Sequence, residues 1–317
     1  IWAATATTIT GGGGADTLTG GAGIDTITGG LGNDVITGAG GADVISAGGG
    51  DDNIKYLLVG DLFATNNALV DTSVDGGDGT DTITLGTSGT AATIAATDAW
   101  TGITSVEKLV SVSNTQAVDW TLAASAYTAG IRTVDESAAK SATGNVIDAH
   151  LITGGALTLI GSATGATAIT GGDGDDTITG GSAADTLIGG AGKDTFVFAA
   201  TAALNGADTI TFIQADDVLN FSAFLGTGYA VLGNNGLDTS LTSFTAANNG
   251  DVNIAGKLAV FSLAEAAAGT AWTAAEVLAE INGTGNAFAL SAGKAIVVYN
   301  HDDTTVPHSS VNQVFYI

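Results

Sequence analysis

The sequence predicts a mainly β chain, wound as a parallel β-solenoid and closed by a small mixed α/β cap at its C-terminal end. Three observations carry this reading. A nine-residue unit recurs in strict phase. Among the 32 acids, 27 are Asp and five are Glu, and Gly is 48 of 317 residues against a single Pro; Asp and Gly favour turns, whereas Glu favours helix surfaces. Between the units, short apolar points recur among Thr, Ser and Ala without helical spacing.

The first block reads GGGGADTLT, GGAGIDTIT, GGLGNDVIT, GAGGADVIS and AGGGDDNIK, five consecutive units over residues 11–55. A lone unit, GGDGTDTIT, occupies 76–84. The second block, 171–197, reads GGDGDDTIT, GGSAADTLI and GGAGKDTFV. The sixth place is always Asp: Asp16, Asp25, Asp34, Asp43, Asp52, Asp81, Asp176, Asp185 and Asp194. The eighth is always large and apolar: Leu18, Ile27, Ile36, Ile45, Ile54, Ile83, Ile178, Leu187 and Phe196. Self-similarity at a fixed period marks a fold built coil by coil.

Each unit explains itself physically. Its last three residues, such as Thr17-Leu18-Thr19, alternate polar, apolar, polar, which is a short strand with one side chain inward. The Gly-rich residues before it form a turn with backbone angles that only Gly adopts cheaply. Two units complete one coil, so units eighteen residues apart stack and their apolar eighth residues meet inside. The same stacking piles Asp on Asp at roughly 5 Å, and such like charges would unwind the coil unless a cation sits between them. A hard divalent ion takes six to eight oxygens at about 2.3–2.6 Å from carboxylates and carbonyls, and the turns offer both.

The pattern GGxGxDxUx resembles the RTX, or haemolysin-type calcium-binding, β-roll family. The resemblance implies a calcium-binding parallel β-roll with several Ca2+ ions between turns of adjacent coils. The sixth-place Asp residues would hold them, together with turn carbonyls at Gly12, Gly14, Gly21, Gly23, Gly30, Gly32, Gly172, Gly174, Gly190 and Gly192, and Asp208 as a cap residue. Ala39 and Ala47 at glycine places, and Ser182-Ala183 within the eighth unit, imply weaker turns. Thr7 and Thr167 stand at the Asp place and read as coils without calcium at the start of each block. Pairs starting at 11/29, 20/38, 29/47 and 171/189 imply on the order of four to eight ions. The formal charge of −25 would then fall to roughly −9 to −17.

Five segments follow: a first roll over 1–55, an inserted excursion over 56–75, and a lone unit with an Ala/Thr-rich irregular solenoid over 76–170. A second roll covers 171–197, and a roll-closing segment with a mixed C-terminal domain covers 198–317. Both rolls read as parts of one spiral. Thr273-Ala-Ala-Glu276 is a capping box that predicts a helix over 273–281, and 262–268 reads as another. Strands are expected over 294–299 and 313–317.

Composition and motifs also exclude functions. A surface this acidic repels phosphate, which excludes nucleic acid, and no apolar run is long enough for membrane insertion. Without Cys there is no disulfide frame and no thiolate chemistry. The histidines, His150, His301 and His308, form no HExxH, and GxSxG and a P-loop lysine are missing too. His301-Asp302-Asp303 reads as an exposed loop, and Asp51, Asp173 and Asp175 as solvated. The expectation is therefore no enzyme. Rows of outward Thr are explained by strand propensity rather than by ice binding.

The resemblance extends to RTX-type surface-layer proteins. It implies a secreted, extracellular protein of the cell surface, exported unfolded by a type I route. It would fold in external calcium and pair with copies of itself in a lattice, with envelope glycan or lipopolysaccharide met through a region outside this chain. Ile1 opens in mid-pattern, which reads as a fragment or a processed product. The alternative is the C-terminal calcium-folding and secretion module of an RTX enzyme, toxin or large adhesin.

Overall fold

The computed structural model describes residues 5–64, 68–86, 92–112, 116–141, 144–199, 204–206, 208–211, 217–220 and 223. Beyond these it describes strands at 232–233, 242–245, 258–262, 296–302 and 310–316. The first units give β1 (Thr8–Gly13), β2 (Thr17–Gly21), β3 (Thr26–Leu31), β4 (Val35–Ala39), β5 (Val44–Gly49) and β6 (Asn53–Tyr56). The excursion holds one short helix, α1 (Val59–Leu62), before β7 (Ser73–Asp78) and β8 (Thr82–Leu85). The middle stretch gives β9 (Ala92–Ile94), β10 (Ile103–Thr104), β11 (Lys108–Ser111) and β12 (Val118–Ala123). There follow helix α2 (Ala124–Ala129), β13 (Thr133–Asp135), β14 (Asn145–Leu151), β15 (Thr158–Ile160) and β16 (Thr167–Thr170). The second roll gives β17 (Thr177–Thr179), β18 (Thr186–Ile188), β19 (Thr195–Val197), β20 (Thr209–Thr211) and β21 (Val218–Asn220). Last come β22 (Leu232–Gly233), β23 (Thr242–Thr245), β24 (Leu258–Ser262), β25 (Ile296–Asp302) and β26 (Ser310–Tyr316).

The fold is a mainly β solenoid of parallel sheets. One face runs without interruption as β2-β4-β6-β8-β11-β13-β15-β17-β19-β21, through both blocks and the stretch between them. Its eighth-place side chains stand in one register row: Leu18, Ile36, Ile54, Ile83, Leu109, Val134, Leu159, Ile178, Phe196 and Leu219. Every member of the row is buried. At roughly 1.5–3 kcal/mol for each buried aliphatic side chain, this row is the apolar drive that winds the coil. The non-repeat residues Leu109, Val134 and Leu159 continue it because each, like a repeat's eighth residue, is the buried middle residue of three, here between two half-buried neighbours.

The opposite face changes hands in the middle. It begins as β1-β3-β5-β7-β10, with Ile9, Ile27, Ile45, Val74 and Ile103 in register. It resumes as β9-β12-β14-β16-β18-β20, with Ile94, Trp120, Ile147, Ile169, Leu187 and Ile210. Near this change the excursion supplies buried Leu62 and Phe63. Phe63 meets Trp100 edge-on, with ring centroids 5.1 Å apart.

At the far end β26 lies antiparallel to β20 and to β25, and β24 lies parallel to β25. The two expected C-terminal strands are therefore present. Two readings are corrected. His301 and Asp302 lie in β25, not in a loop, because the antiparallel pairing with β26 continues through His301 opposite Val311 and Asp302 opposite Ser310. Ser262 ends β24 rather than opening a helix. The helix expected over 273–281, and residues 263–268, lie outside the described residues.

Candidate metal centre

The turns explain the glycines. Gly12, Gly14, Gly30, Gly32, Gly48, Gly50, Gly77, Gly79, Gly190 and Gly192 all take positive φ, at the second and fourth places of their units. Only glycine does so without strain. Ala39 occupies a second place and is also forced to a positive angle, φ 72°.

The sixth-place Asp residues form ladders. The backbone N–H of Asp16 donates to Oδ1 of Asp34 (2.8 Å), Asp25 to Asp43 (2.7 Å), Asp34 to Asp52 (2.7 Å) and Asp176 to Asp194 (2.9 Å). Each carboxylate thus ties its turn to the coil before it. The N–H of Thr7 and that of Thr167 donate to Asp25 and Asp185, so one ladder of each roll begins on a threonine that adds no charge, while the N–H of Leu157 donates to Asp176 Oδ1.

The second carboxylate oxygen is the informative one. Oδ2 of Asp16, Asp34, Asp43, Asp52, Asp81, Asp185 and Asp194 is buried without a hydrogen-bond partner among the described residues. A buried, unpartnered charged oxygen costs several kcal/mol. Apart from Asp52, whose unit opens on Ala47, each lies against the first-place glycine of its own unit. A Cβ on Gly11 would lie 2.5 Å from the Gly29 carbonyl oxygen and 2.6 Å from Asp16 Oδ2; on Gly20 it would lie 2.5 Å from the Gly38 carbonyl and 2.6 Å from Asp25 Oδ2. Gly29 faces the Ala47 carbonyl and Asp34 Oδ2, and Gly171 faces the Gly189 carbonyl and Asp176 Oδ2. Carboxylate and carbonyl oxygens therefore converge where a side chain would otherwise be.

Electrostatics agree. Burial pushes the Asp43, Asp52 and Asp176 carboxyls up from their ordinary values. It pushes Asp81 and Asp185 to about 6, Asp194 to about 7 and Asp208 to about 8. Neighbouring Asp charges raise Asp81, Asp194 and Asp208 further, against the lowering effect of the ladder hydrogen bonds. No cation among the described residues pairs with these groups. Among the described residues no three His, Asp or Glu side chains converge, so oxygen pairs completed by carbonyls suit a hard ion better than a His or thiolate site would. The donor set fits calcium, which supplies the charge that keeps the buried carboxylates ionised.

The ladders extend beyond the repeats. Asp43 N–H donates to Asp71 Oδ1 (2.9 Å), Asp52 to Asp81 (2.8 Å), Asp81 to Glu107 Oε2 (2.8 Å), Asp185 to Asp208 (3.0 Å) and Asp194 to Asp217 (3.0 Å). The unit at 76–84 is thus stacked on 47–55, and Asp208 joins its ladder. Sequence reasoning missed Asp71, Glu107 and Asp217. Asp71 differs from the rest, because the buried Tyr56 hydroxyl donates to its Oδ2 at 2.6 Å. That ladder ends closed.

The glycines named from sequence fall into place differently. Carbonyls of Gly12, Gly14, Gly23, Gly30, Gly32, Gly172 and Gly174 point at the equivalent glycine Cα of the following coil, so no side chain fits there. Gly21 and Gly172 carbonyls accept the N–H of Gly40 and Ala191. Gly190 and Gly192 pack beneath Gly172 and Gly174. The carbonyls facing the Asp Oδ2 atoms belong to first-place residues, Gly29, Gly38, Ala47 and Gly189. The near-constant glycine at that place was the available signal.

The family model of the RTX calcium-binding nonapeptide repeat (4 copies) matches residues 8–27, 19–54 and 163–197. The chain carries RTX calcium-binding repeats. The ion of these turns is Ca2+, and RTX repeats are typical of secreted proteins. The RTX match includes the Thr7- and Thr167-led strands but neither the lone unit nor the turns around Asp71, Glu107 and Asp217. No curated protein and no solved structure matches the chain. Among the described residues no helix is long and apolar enough to cross a membrane.

Proposed function

We propose that this is a secreted, calcium-dependent structural protein that assembles with copies of itself into a lattice on the cell surface. The observation that carries the reading is the unbroken ten-strand row from β2 to β21. Two calcium rolls and the stretch between them form one continuous spiral with broad sheet faces. Calcium rigidifies both ends of such a rod. Its role is mechanical, not catalytic, and the calcium-poor interior of a cell leaves the Asp rows charged and unstacked until export. Exposed Ile24, Leu31, Leu57, Leu58 and Leu151 offer apolar contacts to neighbouring copies.

The test is imaging of purified chain after calcium is added to chelated protein. Two-dimensional ordered sheets are expected. Folded monomers at every calcium concentration would overturn the lattice and favour the folding and secretion module of a larger RTX enzyme, toxin or adhesin.

A further inference from the structure

We infer that the lone unit at 76–84 completes a calcium site with a turn that is not a repeat, residues 105–107, in which Glu107 stands in for the sixth-place Asp and Ser105 for the first-place glycine. The inference rests on the calcium reading of the repeats.

The flanking strands fix the comparison. β10 pairs with β7 through Ile103 and Val74, and β11 pairs with β8 through Leu109 and Ile83. The turn from β10 to β11 therefore stacks on the turn that contains Gly76 and Asp81. It has only three residues, Ser105, Val106 and Glu107. Backbone bonds continue the pattern of the roll. Thr82 N–H donates to the Asp52 carbonyl (2.9 Å) and, one coil on, Lys108 N–H donates to the Asp81 carbonyl (2.9 Å). The side-chain ladder continues as well, from Asp81 N–H to Glu107 Oε2 at 2.8 Å.

The oxygens repeat the arrangement of the RTX turns. A Cβ on Gly76 would run into the Ser105 carbonyl oxygen and would lie 2.5 Å from Asp81 Oδ2. That is the relation of Gly11 to the Gly29 carbonyl and Asp16 Oδ2. Asp81 is fully buried, and its Oδ2 has no partner among the described residues. Ser105 holds φ 52°; it and Ala39 are the non-glycine residues with positive φ among those described. A strained serine that aims its carbonyl into a site is a cost that function explains. Glutamate rather than aspartate also has a reason: a turn three residues short starts farther from the coil before it, and one extra methylene restores the reach. The neighbouring cation does not neutralise the pair, since Lys108 Nζ is engaged by Asp135 at 3.1 Å. The other ladder of this roll is shut by Tyr56 on Asp71, whereas this one ends on an open oxygen.

The test counts bound calcium on the full chain by elemental analysis, after chelation, calcium loading and removal of free ion. Glu107→Gln is expected to carry one ion fewer per chain than wild type. Glu136→Gln, which removes a buried acid outside the ladders, is expected to carry the full number. If Glu107→Gln does not refold, Glu107→Asp is titrated instead, and one class of site is expected to weaken about tenfold. An unchanged count in Glu107→Gln, or an unchanged titration in Glu107→Asp, overturns the site. A wild-type count of zero would overturn the calcium reading of the repeats themselves.

Discussion

Single residues show where the chain departs from its own rule and at what cost. Ala39 sits at φ 72° in a place that glycine fills in neighbouring turns. A left-handed conformation costs a non-glycine residue about 1 kcal/mol, so Ala39→Gly should raise the calcium-loaded melting temperature by a few degrees. An unchanged or lower value would contradict the strain. Glu136 is the opposite kind of departure. It is fully buried, neither carboxyl oxygen has a partner among the described residues, and burial with the nearby Asp119 and Asp135 charges pushes it to about 9. Its folded value lies above the unfolded one, so its contribution is intact below about pH 4.5 and is lost as pH rises toward 9. Between pH 5 and 8 the wild type should lose about 4 kcal/mol that Glu136→Gln keeps. Denaturant midpoints in saturating calcium measure the difference, and parallel curves would refute it.

At the scale of the turn, the first-place glycine is where the ion and the backbone compete for one space. A Cβ on Gly171 would fall against the Gly189 carbonyl and Asp176 Oδ2. Gly171→Ala should therefore weaken calcium binding in the second roll at least tenfold while leaving the first roll unaffected. Calorimetric titration reads both classes. The roll as a whole should respond to protons in the direction its buried acids dictate. Asp185 near 6, Asp194 near 7 and Asp208 near 8 all lie above their unfolded values. Without calcium the folded roll holds more protons than the unfolded chain across about pH 4–8, so its stability falls as pH rises through that window. In chelator, the β signal in circular dichroism should be stronger at pH 5 than at pH 8. The reverse order would mean that the carboxylates find partners the structure does not contain.

How much of this was legible differs between turn and ladder. The place and phase of the nonapeptide turns were readable, because Asp16 to Asp52 and Asp176 to Asp194 recur at a fixed period. The row that continues through Leu109, Val134 and Leu159 was readable only as irregular apolar points, since its turns differ in length while register is set by hydrogen bonds that sequence does not display. The same reason hid Asp71 and Glu107, which lie 28 and 26 residues from Asp43 and Asp81 instead of eighteen. A different signal marks some of them. Glu107, Asp208 and Asp217 each stand two places before an inward apolar residue, Leu109, Ile210 and Leu219, as Asp16 stands before Leu18. The glycine carbonyls were assigned by family pattern to the second and fourth places, whereas the oxygens facing Asp Oδ2 come from the first, a choice decided by backbone direction alone.

For the whole molecule, one spiral runs from β1 to β21, and its acids and its core make opposite demands. The apolar rows favour the coil at any calcium level, while the Asp rows oppose it until a cation arrives. On the proposed reading, a chain of charge −25 built in this way switches between an extended form without calcium and a wound coil with it. The central claim is that calcium makes this switch. The most direct measurement is far-UV circular dichroism with light scattering, as calcium is titrated into chelated protein at pH 7.5. The account predicts a coil-to-β transition, followed by the growth of large ordered particles. A β signal already complete in chelator and unchanged by calcium would contradict it.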